Sequence, residues 1–125
     1  MPNIESFQFF ILPAVDEGMA LHLLGDLMGM PIESMDAPLV HAKVFAQVSS
    51  YPEGFEQGFL ISWPRDEACL IDQSEVVKKF SDQLKVSALL EPNNEGDGWL
   101  LFSSKGAQTV AVRYLSDGID AEIIC

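Results

Sequence analysis

The chain has 125 residues, the length of one typical domain, and its 48% of hydrophobic residues can form one core without a disulfide framework or a structural metal. Its 19 acidic and 7 basic residues give a formal net charge of −12 at pH 7. The sequence has no basic patch to bind a phosphate backbone or an anionic membrane, so we expect neither nucleic acid nor a membrane among its partners.

The first predicted elements are a strand and a helix. Residues 7–12 form a nearly continuous apolar run, which is typical of a central strand covered on both faces, and Pro13 ends it. Asp16 is placed to cap the helix that follows, and Pro31 closes it. Six apolar residues recur at helical spacing between these two positions: Met19, Ala20, Leu23, Leu24, Leu27 and Met30.

Two strands joined by a hairpin come next. Alternation between residues 37 and 50 puts small apolar side chains on one face of the first strand: Val40, Ala42, Val44, Ala46 and Val48. The second strand should place four large apolar side chains on one face: Phe55, Phe59, Ile61 and Trp63. Only Gln57 breaks this second pattern. Pro52 and Gly54 stand at turn spacing between the strands, which predicts the hairpin.

The C-terminal half begins with a second helix. Asp72 and Glu75 have the spacing of a capping box, and an apolar stripe follows them: Val76, Val77, Phe80 and Leu84. Residues 86–92 fit either a last helical turn or a short strand. After a loop at 92–98, three short strands are predicted: 99–103, 108–115 and 119–124. The dipeptide Asp117-Gly118 is typical of a hairpin between the last two.

The predicted elements follow the order β-α-β-β-α-β-β-β. The first six match the split β-α-β arrangement of ferredoxin-like folds. We therefore predict one α+β domain over residues 1–125 with a ferredoxin-like core, in which a single, mostly antiparallel sheet carries both helices on one face. The last hairpin should either extend the edge of this sheet or curl over it.

The sequence offers little for catalysis. Cys69 and Cys125 have neither the spacing of a zinc site nor that of a disulfide framework, and no local signature marks either as a nucleophile. Esterase motifs and phosphate-binding glycine loops are absent from the sequence. We therefore predict no catalytic residue, no metal and no cofactor, and we favour a protein that is not an enzyme.

The apolar runs also bear on location. They are far shorter than the ~20 residues that cross a bilayer. The N-terminal segment carries Glu5 and no basic residue ahead of its apolar run, which argues against a secretory signal. We therefore expect a cytoplasmic protein.

A histidine and an aspartate offer one alternative for a ligand site. His22 and Asp26 are four residues apart on the polar face of the first helix, a spacing at which two ligands can meet one ion. Gly25 and Gly29 on that face leave room for the close approach of a ligand or another chain, although an ordinary surface explains the same residues. Together with His41, on the outer face of its strand, they suggest a small enzyme or ligand-binding domain with a pocket between sheet and helices.

The segment 49–70 combines aromatic and acidic side chains and carries the main functional hypothesis. In a structural interpretation, its aromatic residues belong to the strand and its acids mark the strand ends. Alternatively, exposed aromatics and acids bind a basic protein, because aromatic anchors supply binding energy and charges steer the encounter. The candidate partner-binding residues are Tyr51, Glu53, Glu56, Trp63, Asp66 and Glu67.

The acidic charge suits a protein-binding domain, although solubility alone also explains it. In size and charge only, the chain is similar to small acidic bacterial immunity proteins and secretion chaperones, and no motif assigns it to either group. A domain that docks a basic protein is thus the first hypothesis, and the small enzyme or ligand-binding domain is the alternative. A homodimer formed through an edge strand is a third.

Overall fold

The structure, a computed structural model, describes residues 4–29, 32–34, 44–64, 72–92, 98–116 and 118–122. Two helices and nine strands follow one another in these residues. They are β1 (Ile4–Leu12), α1 (Glu17–Met28), β2 (Ile32–Ser34), β3 (Val44–Ser50), β4 (Glu53–Gly54), β5 (Gln57–Pro64), α2 (Gln73–Leu84), β6 (Ser87–Leu90), β7 (Trp99–Ser103), β8 (Gly106–Leu115) and β9 (Gly118–Glu122). Among the described residues, no helix has both the length and the apolar character that a bilayer crossing requires.

The strands form a mostly antiparallel sheet, so the protein has an α+β fold. Their order is β2-β3-β5-β1-β6-β7-β8-β9-β4, and only the β2–β3 and β4–β9 pairs are parallel. β4 belongs to the hairpin between β3 and β5, yet it pairs with β9 at the opposite end of this order. The terminal strands therefore curl until β9 meets the tip of the β3–β5 hairpin. Of the two arrangements expected for the last hairpin, extension of the sheet edge or curling over the sheet, the structure shows the second.

Strand β1 separates two apolar clusters. It lies between β5 and β6 in the sheet, and successive side chains of a strand point to opposite faces. Phe9 is fully buried and packs against Phe59 and Phe80, with ring centroids 5.1 and 5.3 Å away. Phe10 points the other way and contacts Tyr51.

The larger cluster, here named the main core, joins the sheet to both helices. Its buried members include Phe7, Phe9, Ile11, Ala20, Leu24, Val44, Phe59, Ile61, Trp63, Val77 and Phe80. Each large side chain buried in this way contributes roughly 1.5–3 kcal/mol relative to exposure. The main core is therefore the chief source of stability among the described residues.

The smaller cluster, here named the tip core, lies on the other side of β1. Its buried members are Phe10, Phe55, Leu89, Val110 and Ile119. They come from the hairpin tip, from β1 and β6, and from the curled strands β8 and β9. The tip core is thus the contact that holds the terminal strands over the sheet.

Both helices begin at the predicted caps. The carboxylate of Asp16 accepts a hydrogen bond from the N–H of Met19 at 2.9 Å, and that of Asp72 accepts one from the N–H of Glu75 at 3.2 Å. These bonds satisfy N–H groups that have no partner within the first helical turn.

The helix ends differ from the expectations. α1 ends at Met28, and Gly29 follows in the left-handed conformation at φ 73°, so Gly29 caps the helix instead of lying on its polar face. Pro31, predicted to close the helix, lies outside the described residues. After α2, residues 87–90 form strand β6. Of the two alternatives predicted for residues 86–92, the short strand is therefore the one observed.

The hairpin departs from its predicted pattern at Phe55. In β5, Phe59, Ile61 and Trp63 are buried in the main core, as the alternation predicts. The same alternation predicts Phe55 beside them, which is wrong, because Phe55 precedes β5 and is buried in the tip core. The cause is local: Gly54 at φ 68° and the short strand β4 turn the chain before β5 begins.

The strand predicted from residue 37 is described from Val44 onward, as β3. Val44 and Ala46 are fully buried on the predicted inner face. Residues 37–43, including His41, lie outside the described residues.

Candidate functional site

The tip of the β3–β5 hairpin is fixed to two other strands. Within the tip, the N–H of Tyr51 donates to the carbonyl of Glu56 at 2.9 Å. The N–H of Glu56 donates to the carbonyl of Ile11 in β1 at 3.0 Å, and the N–H of Phe55 donates to that of Ile119 in β9 at 2.9 Å. The tip is therefore held from both sides, although loop tips are usually among the more mobile parts of a protein.

Two glycines allow the tip to approach β9, in a contact here named the glycine clasp. A Cβ atom at Gly54 would overlap the carbonyl oxygen of Ile119, and one at Gly118 would overlap the carbonyl oxygen of Glu53. Backbone atoms cannot swing aside as the end of a long side chain can. The clasp therefore requires glycine at both positions.

The clasp also bears on the hypothesis of a homodimer formed through an edge strand. β4 pairs with Gly118 and Ile119 of β9, so this part of the terminal edge is occupied within the chain. The homodimer stays a prediction.

A third glycine brings two aromatic rings together. Gly58 stands opposite Phe10 in the β1–β5 pairing, and a Cβ atom there would lie 3.0 Å from the rings of both Phe10 and Tyr51. These rings, whose centroids are 5.8 Å apart, lie over the bare backbone of Gly58. Tyr51 is half-buried and packs against the tip core.

An open pocket, here named the tip pocket, lies between the hairpin tip and the start of β9. It has a volume of about 460 Å³ and is lined by Phe10, Ser50, Tyr51, Pro52, Ser116, Gly118 and Ile119. The lining is mainly apolar, with the hydroxyl groups of two serines and of Tyr51 as its polar side-chain atoms. None of these seven residues carries a charge.

Acidic side chains lie on the hairpin tip that borders the tip pocket. Glu53 and Glu56 are exposed on the hairpin tip. The carboxylate of Glu56 accepts a hydrogen bond from the N–H of Ala14 at 2.9 Å. This bond brings the loop after β1, with the exposed residues Asp16 and Glu17, to the same end of the molecule. Four exposed acidic residues of the described chain therefore lie at this end of the molecule.

The side chain of Gln57 also anchors the loop after β1. It is buried; the amide oxygen accepts from the N–H of Val15 at 2.9 Å, and the amide nitrogen donates to the carbonyl of Val15 at 3.1 Å. Sequence reasoning did not identify Gln57 as a positioning residue. The signal was present, because Gln57 is the one polar residue that breaks the alternation of the second predicted strand.

The predicted partner-binding residues do not form one surface. Tyr51, Glu53 and Glu56 lie together at the tip. Trp63, by contrast, is 3% exposed and packs against Phe7 in the main core, with ring centroids 5.9 Å apart. It is therefore not available as a surface anchor, and its indole N–H has no hydrogen-bond partner among the described residues.

Two further predicted partner-binding residues, Asp66 and Glu67, lie outside the described residues.

The alternative ligand site consists of an exposed pair. His22 Nε2 lies 3.6 Å from a carboxylate oxygen of Asp26, and their side chains are 83% and 70% exposed. Neither residue lines the tip pocket or the second cavity described below, and His41 lies outside the described residues. Among the described residues there is no group of three or more side chains that could hold a metal ion.

A second cavity, of about 480 Å³, lies at the C-terminal end of α2. It is lined by Leu12, Pro13, Ser81, Asp82, Lys85, Val86, Ser87, Ser103 and Ser104. One acid and one base face it together, and the negative end of the α2 dipole lies beside them. This mixture favours neither an anion nor a cation, so the cavity does not define a ligand class.

Comparison with known proteins adds no family assignment. No protein-family model, curated protein or solved structure matches the chain.

Proposed function

We propose that this protein is a small acidic binding domain whose hairpin tip docks a basic protein partner. The observation that carries the proposal is the position of the tip pocket. An open, mainly apolar pocket, in which none of the described lining residues is charged, borders the hairpin tip that carries the exposed Glu53 and Glu56. Protein interfaces combine these two features, because apolar and aromatic contacts supply affinity while charges accelerate and select the encounter.

The rigidity of the tip supports the proposal. Ordering a loop or a side chain on association reduces affinity. Here the tip is already fixed by hydrogen bonds to β1 and β9, and the ring of Tyr51 is already packed against Phe10. A partner would therefore meet a preformed surface.

We also infer a ferredoxin-like core and a cytoplasmic location. The strand order β3-β5-β1-β6, antiparallel throughout, supports the core, with α1 between β1 and β3 and α2 between β5 and β6. The location is supported by the strongly acidic composition, which keeps a cytoplasmic protein dispersed.

Site-directed photo-crosslinking tests the proposal. A photoreactive amino acid replaces Ser50, which lines the tip pocket, or Gln83, which is exposed on α2 and serves as the control. In native lysate, the Ser50 position should capture basic proteins, and the capture should fall as salt screens the charges above roughly 0.1–0.2 M. Capture of the same proteins from both positions, or of proteins with no basic bias, would contradict the proposal.

Charge removal gives a quantitative second test with the captured partner. Glu53→Gln/Glu56→Gln should lower the association rate constant about 3- to 10-fold at low salt, because steering depends on charges near the interface. The matched control is Asp26→Asn/Asp82→Asn, which removes two exposed acids elsewhere on the described surface. Equal losses in the two double variants would mean that only the total charge matters.

A further inference from the structure

We infer that the tip pocket receives an apolar side chain of the basic partner, with lysine or arginine residues on either side of it in the partner's sequence. This inference rests on the proposed function and names the chemistry that the tip recognises. It follows from the lining, the surroundings and the rigidity of the tip pocket, taken in turn.

The lining selects an apolar occupant. Phe10 and Ile119 are tip-core residues, 6% and 4% exposed, that face the pocket, while the half-buried Tyr51 and the exposed Pro52 line it beside them. An apolar side chain that covers these residues removes apolar surface from water on both partners. A charged head group inserted there would lose its hydration without finding an opposite charge among the described lining residues.

The surroundings select a basic neighbour. Glu53 follows Pro52 of the lining directly, and its carbonyl meets Gly118, another lining residue. Glu56 completes the acidic tip. An anionic ligand would be repelled at this position, whereas lysine or arginine residues that flank an inserted apolar residue would meet opposite charge at the edge of the pocket.

Three glycines allow the close contacts that fix the walls of the pocket. Gly54 and Gly118 form the clasp, and Gly58 lets the Phe10 and Tyr51 rings lie against the strand. A side chain at Gly118 would enter the space between the tip and β9. At these points the chain supplies backbone alone, so the tip and β9 meet without a side chain between them.

Peptide titrations followed by amide NMR shifts test the inference on the full chain. The probe is Ac-Lys-Lys-Leu-Lys-Lys-NH2, and the comparisons are the same peptide with Ser in place of Leu and Ac-Glu-Glu-Leu-Glu-Glu-NH2. The leucine peptide should shift the amide resonances of Tyr51, Gly118 and Ile119. The serine peptide should bind about tenfold more weakly, because it lacks the binding free energy that burial of one leucine side chain contributes. The glutamate peptide should leave these amides unchanged.

The two levels of the proposal fail differently. If the leucine and serine peptides bind the tip equally and release with salt, the tip recognises basic segments but the pocket receives no apolar side chain. If the glutamate peptide binds as well as the lysine peptides, charge selection fails, and the proposed function fails with it. If no peptide shifts the tip amides, the inference is overturned, and photo-crosslinking then decides the proposed function separately.

A pocket-filling variant supplies the structural control. Ser116→Phe puts a ring into the tip pocket from an exposed turn, and Ser104→Phe makes the same change in the exposed turn between β7 and β8. The first should weaken the leucine peptide at least tenfold and the second should leave its affinity unchanged. Tyr51→Ser, which removes one wall, should give the same loss as the first. Unchanged affinity in a folded Ser116→Phe or Tyr51→Ser variant would overturn the inference.

Discussion

The main core and the tip core differ in how they are closed. Both helices cover the main core, and the rings of Phe9, Phe59 and Phe80 within it are fully buried and pack on one another. The tip core is closed by a hairpin tip that approaches over bare glycine backbone, and it opens to solvent at the tip pocket. We therefore expect stability to depend chiefly on one side of β1 and binding on the other.

The difference has a physical basis in what each closure can tolerate. A close-packed interior responds to the loss of even a few atoms, because the remaining side chains cannot refill the space. A region closed by a few backbone contacts can open locally at a cost below that of unfolding the whole chain. A binding opening in the tip core is thus compatible with a stable fold.

The sharpest test uses two neighbours in sequence. Phe9→Ala should reduce the free energy of unfolding by about 3–5 kcal/mol, because it leaves a cavity among fully buried rings. Phe10→Ala should cost about 2 kcal/mol, because the space that it leaves opens to the tip pocket and water can enter it. Urea unfolding of the two variants measures the difference.

The loss of affinity for the leucine peptide should be larger in Phe10→Ala than in Phe9→Ala, the reverse of the order expected for stability. A folded Phe9→Ala protein should keep the affinity of the wild type for the leucine peptide, whereas Phe10→Ala should lose affinity. Equal stability losses, or an equal effect on binding, would show that the two sides of β1 act as one unit.

The clasp is expected to give the next largest effect. Gly118→Ala should reduce the free energy of unfolding by about 3 kcal/mol, because its Cβ overlaps a backbone oxygen and the tip must move away from β9. The control is Gly18→Ala in α1, where the nearest atom to a Cβ is a carboxylate oxygen of Asp16 at 3.4 Å. That change should stabilise the protein by about 0.5–1 kcal/mol, since alanine is the better helix former.

The location of the change should follow the clasp. Amide hydrogen exchange in Gly118→Ala should accelerate at Phe55, whose N–H bonds to β9, and remain slow in β1. Uniform acceleration would mean that the clasp supports the whole fold and not the tip alone.

The buried amide of Gln57 holds the loop after β1 and should give a smaller effect. Gln57→Ala removes both hydrogen bonds to Val15 and should reduce the free energy of unfolding by about 1–2 kcal/mol. The loss is limited because water can replace part of the lost bonding to the half-buried Val15.

Gln57→Glu should also destabilise the protein at neutral pH, since a carboxylate oxygen would face the carbonyl of Val15. That loss should shrink in acid, where a protonated carboxyl group can donate to the same oxygen. A loss that does not vary with pH would contradict the observed orientation of the amide.

The sequence predicts much of the main core because its signals are local. Period-two alternation predicts the burial of Phe59 and Ile61, and the acids at Asp16 and Asp72 predict where the helices begin. The position of Glu53 at a hairpin tip follows from the turn residues around it.

The tip core was not predictable in the same way, because it depends on contacts between distant parts of the chain. The pairing of Gly54 with Ile119 has no local pattern, and a glycine in sequence does not reveal which backbone will approach it. Phe55 illustrates the consequence: its spacing fits β5, but the turn at Gly54 directs it to the tip core. The lining of the tip pocket combines residues of β1, the hairpin tip and β9, which are brought together only by the curl of the terminal strands.

The smallest expected effect concerns Trp63 and gives each region its own reporter. Trp63→Phe removes a buried indole N–H that has no partner among the described residues, a penalty of about 1–3 kcal/mol. This gain should offset most of the packing lost with the larger ring, so the free energy of unfolding of the variant should lie within about 1 kcal/mol of that of the wild type.

Trp63→Phe leaves Trp99, which packs against the tip core, as the one tryptophan of the chain. Fluorescence of Trp63→Phe should then respond to the leucine peptide, and fluorescence of Trp99→Phe, which retains Trp63 in the main core, should not. A loss above about 2 kcal/mol in Trp63→Phe would mean that the indole N–H has a partner in solution, and a peptide response from Trp63 would mean that binding reaches the main core.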